Sequence, residues 1–204
     1  MRSSNGSRRG DRLRWMALGL AVLAAGCAGT DFTRPAPETL VFGKTTYAEI
    51  NARYGSPYRE GSLLKNDKNV RQATYAYAAT GGEPLVSGVT AARAMTFSFL
   101  DQVLVGHEFT SSFKSDHTDF DTARVPQIKK GETTRAQVIA LMGPPAGLWI
   151  HPMVKSQDDQ GLVWIYGQTR ASGFSISVHQ KVLVVAVSPT GVVTEVDLTV
   201  SGER

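Results

Sequence analysis

Gly43-Lys-Thr-Thr-Tyr-Ala-Glu-Ile-Asn-Ala-Arg-Tyr-Gly-Ser-Pro57 lies without a gap over Gly131-Glu-Thr-Thr-Arg-Ala-Gln-Val-Ile-Ala-Leu-Met-Gly-Pro-Pro145, at an offset of 88. Seven of the fifteen positions are identical, and Ile50 matches Val138 in type. Leu40 and Ile128, three residues before each Gly, keep the same offset. The chain therefore carries an internal duplication, the first thing to establish before elements are assigned. Each copy reads as a short helix with clear punctuation. Thr46 with Glu49, and Thr134 with Gln137, form the spacing of a capping box. Gly55 and Gly143 stand where a left-handed residue closes a helix, and Pro57 and Pro145 forbid continuation. Ile50 and Tyr54, and Val138, Leu141 and Met142, mark the buried faces. Two turns of helix are not stable alone in water, so each must pack on something else.

That partner is a sheet, and it repeats too. Tyr75-x-Tyr77 corresponds to Trp164-x-Tyr166. Met95, Phe97 and Phe99 alternate along one strand, with Val185 and Val187 in the matching stretch. Val103 to Ser111 and Val192 to Val200 give the last strands, after turns at Asp101-Gln102 and Pro189-Thr190-Gly191. Period-2 alternation with one polar face implies an antiparallel sheet covered on one side. The expectation is an α+β protein of two tandem units over residues 40–113 and 126–204, each a capped helix on a three-stranded antiparallel meander. Residues 27–39 are expected to be an unstructured tether and 114–125 a linker. The pattern leaves open whether the two sheets join into one concave surface or swing on that linker.

The N-terminus carries a different signal. Arg2, Arg8, Arg9 and Arg12 precede, and Arg14 stands at the head of, an apolar run, Leu13 to Ala25, that is short of the roughly 20 residues a bilayer span needs. This is the layout of a secretory signal over residues 1–26. It ends in Leu23-Ala-Ala-Gly-Cys27, which holds the one cysteine of the chain and resembles the lipobox of bacterial lipoproteins. That resemblance implies a diacylglyceryl group on Cys27 after cleavage before it. With Ala28 next, it also implies an outer-membrane destination facing the periplasm, with the bilayer as a partner. Removing the signal takes five Arg and Asp11 from the formal charge of +4, which leaves seventeen residues of each sign. No Lys/Arg stripe remains to neutralise phosphates, so nucleic acid is not an expected partner.

A helix with a Gly-x-Thr-Thr start and a Gly-x-Pro stop, followed by a meander opening on Tyr-x-Tyr or Trp-x-Tyr, resembles the SmpA/OmlA family of BamE-like domains. The resemblance covers Leu40 to Phe113 and Pro126 to Val200. It implies a helix on an antiparallel sheet and an accessory part in envelope biogenesis, with barrel-assembly machinery as the partner. Lys44 and Glu132 stand where the assembly factor has Met, and Ile50 and Val138 come one residue later than its first apolar helix position, which points to a broader group of such lipoproteins. A tandem arrangement also resembles the β-lactamase-inhibitory protein fold, which implies an inhibitor or ligand-binding protein using a concave sheet.

Residues that could carry chemistry are sparse. Asp116, His117, Asp119 and Asp121 lack the Gly turn and terminal Glu of a calcium loop and read as an acidic, solvated linker. His107 falls on the apolar parity of its strand and reads as a hydrogen-bonded core histidine. His151 and His179 have no ligand-spaced companions. There is no Ser or Cys nucleophile motif, no His-Glu-x-x-His and no phosphate-cradling Gly loop, so neither an enzyme nor a cofactor is expected. Trp149, Ile150 and Met153, with Val154, form an apolar run after the second helix. It reads either as an element packed on the sheet or as a partner contact, since aromatics and Met are enriched in interface cores.

Overall fold

The computed structural model of the chain describes residues 29–202 except 80, 173 and 174. Helix α1 (Tyr47–Tyr54) is followed by strands β1 (Arg59–Lys65), β2 (Lys68–Ala79), β3 (Ala91–Leu100) and β4 (Val103–Ser111). Helix α2 (Arg135–Met142) is followed by β5 (Gly147–Trp149), β6 (Gln160–Ser172), β7 (Ser175–Val187) and β8 (Val193–Ser201). All eight strands pair antiparallel with their sequence neighbours in one sheet, which curls into a half-barrel. The expected pair of BamE-like units, each a helix on three strands, is thus overturned. Each repeat carries four strands, and none of the sheet is divided between two bodies. The two additional strands have physical reasons for being illegible. β1 reads Arg-Glu-Gly-Ser-Leu-Leu-Lys, lies at an edge, and has nearly every side chain in solvent, so it shows no alternation. β5 has three residues.

The duplicated motif works as a clip at both ends of each helix. Thr46 and Thr134 accept from the backbone N–H of Glu49 and Gln137, whose side chains accept back from the Thr backbone in two complete capping boxes. The preceding Thr45 and Thr133 accept through Oγ1 from Val41 and Lys129 N–H. Their carbonyls take the N–H of Leu104 and Val193, which ties each helix start to the last strand of its repeat. At the other end Tyr75 donates its hydroxyl to the Gly55 carbonyl at 3.0 Å, and Trp164 donates Nε1–H to the Gly143 carbonyl at 3.3 Å. The glycines themselves differ from the left-handed form expected. Gly55 sits at φ 75°, ψ −159° and Gly143 at φ 82°, ψ −177°, a region essentially restricted to glycine. Gly143→Val is therefore expected to cost about 2 kcal/mol, read as a lower denaturant midpoint, with no steric clash contributing, since nothing lies within 4 Å of an added Cβ.

The helices cover one face of the sheet. Ile50 packs on Ala73, Tyr75, Met95, Phe97 and Phe99, and Val138 on Leu162, Trp164, Leu183 and Val185. Register slips at Ser98/Phe99 and at Ala186/Val187. As a result Leu104 and Val193 enter the core, and Val192, which strict alternation would place inside, is displaced. The opposite face is concave. The Asn66 amide at the β1–β2 turn donates to the carbonyls of Pro152 and Val154, and a cavity of about 230 Å³ is lined by Lys65 and Asn66 from one side and by Glu195 and Asp197 of β8 from the other.

Two segments expected to be loose are packed from residue 29 onward. Gly29 bridges Tyr77 along the stretch of β2 that β1 leaves free, Phe32 stands edge-on to Phe109, and Arg34 lies 4.9 Å over the Phe109 ring while donating to the Ala146 carbonyl. The acidic linker is likewise engaged rather than solvated. Asp116 accepts from Ser111 and faces Arg93, and Asp121 caps a 3-10 turn (Thr122–Gln127) at Ala123. Lys181, 2% exposed on the core side of β7, pairs with Asp119 at 2.5 Å and donates to the Phe120 carbonyl. A buried ammonium is tolerable only with such partners, because leaving it unpaired costs several kcal/mol.

Candidate functional site

The two repeats meet at β4 and β5 through three residue pairs, Gly106 with Trp149, His107 with Leu148 and Glu108 with Gly147. Gly147 is required there by space. An added Cβ would lie 2.2 Å from the His107 carbonyl oxygen and 2.7 Å from the Glu108 Cα. On the concave side of this seam Glu108 is buried and accepts from Trp149 Nε1–H at 2.7 Å. Burial pushes its carboxyl up to about 7, against the opposing pull of that hydrogen bond. Trp149 remains half-buried at the head of an excursion over residues 150–159. Ile150 and Met153 fold from that excursion onto Val70 and Val105 as a third, smaller core. Met153 is buried, while Trp149 and Ile150 keep part of their surface.

His107, next in sequence, points to the helix side. Its ring stacks on Phe42 at 5.7 Å, and Nδ1 has no hydrogen-bond partner, so the expected hydrogen bond of a core histidine is not made at that nitrogen. Burial, and behind it the charge of Arg34, pushes the ring down to about 4. Adjacent residues thus bury a carboxyl whose pKa is raised and an imidazole whose pKa is lowered on opposite faces of one strand.

Across the concave face the register aligns Thr74, Thr96, Glu108, Gly147, Val163, Val184 and Asp197 in one row. Thr74 and Thr96 share a hydrogen bond of 3.2 Å. Ala76, Ala94 and Thr110 flank the row in the first repeat and Ile165, Val182 and Thr199 in the second. The flanking side chains are small or β-branched and all except Thr199 are half-buried, whereas in the row itself Glu108, Gly147 and Val163 are buried and Asp197 is exposed. On the helix side a groove of about 460 Å³ lies between Arg34, His117, Phe120, Pro144 and Trp164, and its charged groups are committed to the contacts described above. His151 and His179 lie apart from it, the latter with Nδ1 3.3 Å from the Gly202 carbonyl. Among the described residues no three His, Cys, Asp or Glu side chains are placed to hold a metal ion. Cys27 and the signal segment lie outside the described residues.

Glu108, Asn66 and Lys181 are the structurally decisive polar residues that sequence reasoning passed over. Lys181 had a signal, since it occupies the parity of Leu183 and Val185 on a buried face. Glu108 had none, because the indole that covers it arrives from the other repeat.

No family model and no curated protein matches the chain. A solved structure from Streptococcus mutans, described as a candidate β-lactamase inhibitor protein, is similar over 90% of this chain and 96% of its own, with 12% identity and a TM-score of 0.38. The SmpA/OmlA resemblance accordingly rests on the short helix motif, and the four-stranded repeats depart from it.

Proposed function

We propose that this chain is an exported, lipid-anchored, non-catalytic protein-binding module whose concave sheet face receives a folded protein partner. The carrying observation is the concave face itself. It spans β2 to β8 with no helix over it among the described residues. The excursion over residues 150–159 fills the end beside Val70 and Val105, and the rest is a floor of small and β-branched side chains bordered by Trp149. Seven strands at about 4.8 Å spacing give roughly 30 Å of width. That is the scale of the ~800 Å² each partner contributes to a specific interface. A floor of Thr, Ala and Val accepts a convex loop, and a half-buried Trp held by one hydrogen bond is a natural anchor for it. A concave surface of this kind favours an inhibitor-type engagement of a single protruding partner over a flat adaptor role in barrel assembly. The lipobox at Cys27 supports export and anchoring.

Affinity recovery from lightly crosslinked cell envelopes tests the reading. Thr96→Arg, at the centre of the concave row, is expected to lower partner recovery at least about tenfold, a loss of about 1.4 kcal/mol or more. Val41→Arg, on an exposed side chain outside the face, is expected to leave it unchanged. Loss with Val41→Arg and retention with Thr96→Arg would place the contact elsewhere. A barrel-assembly component as the dominant partner would return the chain to the adaptor role. Separately, Cys27→Ala should abolish acylation and release the protein from the membrane fraction, and continued membrane retention would sink the anchor.

A further inference from the structure

At the start of β8 the N–H and C=O of Val193 are taken by Thr133 and Gly131. From residue 194 to 201 the strand pairs with β7 alone among the described residues, and this stretch of its outer edge has no strand partner. Sheet edges are ordinarily guarded by charged side chains, Lys above all, by Pro, by a bulge or by a covering element, and on β8 the guards are a bulge at its start and the carboxylates of Glu195 and Asp197. The opposite edge follows that rule, since β1 carries Arg59, Glu60 and Lys65, with Glu60 bonded to Arg71 and Tyr47. β8 contains no Lys, Arg or Pro. Its Leu198 and Val200, 38% and 52% exposed, continue the apolar parity of Val196 on the helix side.

We propose that this edge pairs with the same edge of a second copy of the chain, as a two-fold antiparallel β8–β8 contact centred on Leu198. The register follows from charge. Centring on Asp197 would set Asp197 against itself, centring on Val196 would set Glu195 against Asp197, and both juxtapose like charges. Centring on Leu198 instead opposes Leu198 to Leu198, Val196 to Val200, Asp197 to Thr199 and Glu195 to Ser201. Every apolar residue then meets an apolar residue, and every carboxylate meets a hydroxyl. The contact is isologous, so it closes at two copies and leaves the charged β1 edges outermost. The two concave faces become parts of one sixteen-stranded sheet, and the dimer is bivalent for its partner.

The full chain carrying Cys27→Ala, which removes the one native thiol, provides the test by analytical ultracentrifugation and mild oxidation. A concentration-dependent dimer is expected, and a protein that stays monomeric at every concentration overturns the proposal. Directly opposed residues hold their Cβ atoms about 4.5–5.5 Å apart, near disulfide reach. Leu198→Cys should therefore link to itself, whereas Asp197→Cys should link only when mixed with Thr199→Cys. Self-linking of Asp197→Cys as readily as Leu198→Cys would mean unspecific collision and defeats the register. Leu198→Lys should weaken the dimer at least about a hundredfold while leaving the thermal midpoint of the monomer in place. Val200→Lys is the independent second disruption should the first variant fold poorly.

Discussion

Gly147→Val is expected to destabilise the protein by more than about 4 kcal/mol, a large share of the roughly 5–15 kcal/mol that an ordinary domain has. The position has no freedom to accommodate a side chain, because what the Cβ would meet is backbone: the His107 carbonyl oxygen at 2.2 Å and the Glu108 Cα at 2.7 Å. Relief requires β5 to leave β4. β5 contributes three residues, and through them passes the whole strand-to-strand connection between the repeats. Opening it would also draw Trp149 off Glu108 and leave a buried carboxyl without its donor. Gly61, two residues into the equivalent region of the first repeat, is the control. It lies on the edge strand with nothing within 4 Å of an added Cβ, so Gly61→Val should change stability by no more than about 0.5 kcal/mol. Denaturant unfolding of the two variants in parallel reads the difference. Equal midpoints would mean that the seam is not where the two halves are joined.

A second large effect is concealed in the wild-type protein. Folded Glu108 holds its proton to about pH 7, whereas an unfolded carboxyl releases it near 4.5. Between those values the folded state binds more protons, so this residue makes stability fall as pH rises, by about 3 kcal/mol in all. His107 acts in the opposite sense. Its folded ring stays neutral down to about 4, and the unfolded ring takes a proton near 6.5. There the unfolded state binds more protons, and stability rises with pH by a similar amount. The two windows overlap between 4.5 and 6.5, where the contributions cancel. Wild-type stability is expected to be nearly level across that interval. Glu108→Gln keeps an acceptor for the Trp149 indole but removes the ionisation. Its stability should climb by about 3 kcal/mol from pH 4 to 6.5, remain level above, and exceed the wild type at pH 8 by about 3 kcal/mol. His107→Phe should show the opposite slope, falling from pH 4.5 to 7. Chemical unfolding at pH 4, 5.5 and 8 separates the three profiles. A Glu108→Gln profile that overlays the wild type would show that the carboxyl does not ionise in this range.

The duplication was legible because each conserved-type position of the helix motif has a local duty: Thr46 and Thr134 cap, Thr45 and Thr133 hold the preceding turn, and Gly55 and Gly143 take backbone angles closed to other residues. Local duties leave local patterns. Strand pairs with buried alternation, such as β3 and β7, were legible for the same reason. What failed depends on distant parts of the chain. β1 is held by its pairing to β2 and shows solvent on both faces, and the Asn66-Asp67 turn that announces it had no alternating strand before it. Arg34 finds the Ala146 carbonyl 112 residues away, and Lys181 finds Asp119 in a linker whose composition alone suggests solvent. The concave surface was legible only as an alternative, since joining the sheets depends on a three-residue strand and a glycine chosen for fit. Of the residues singled out beforehand as a partner contact, Met153 is spent on core packing and Trp149 keeps the surface that the proposed role needs.

Under the acylation proposed at Cys27, the bridge from Gly29 to Tyr77 would have a mechanical meaning. Ala28 alone separates that cysteine from a backbone position already fixed to β2, a reach of at most about 7 Å. Such an anchor would be a mooring post and not a leash: the folded body would sit hard against the lipid headgroups, with the mouth of its concavity held at a set attitude. Partners would then be met by lateral diffusion in two dimensions, from a fixed height and a constant direction.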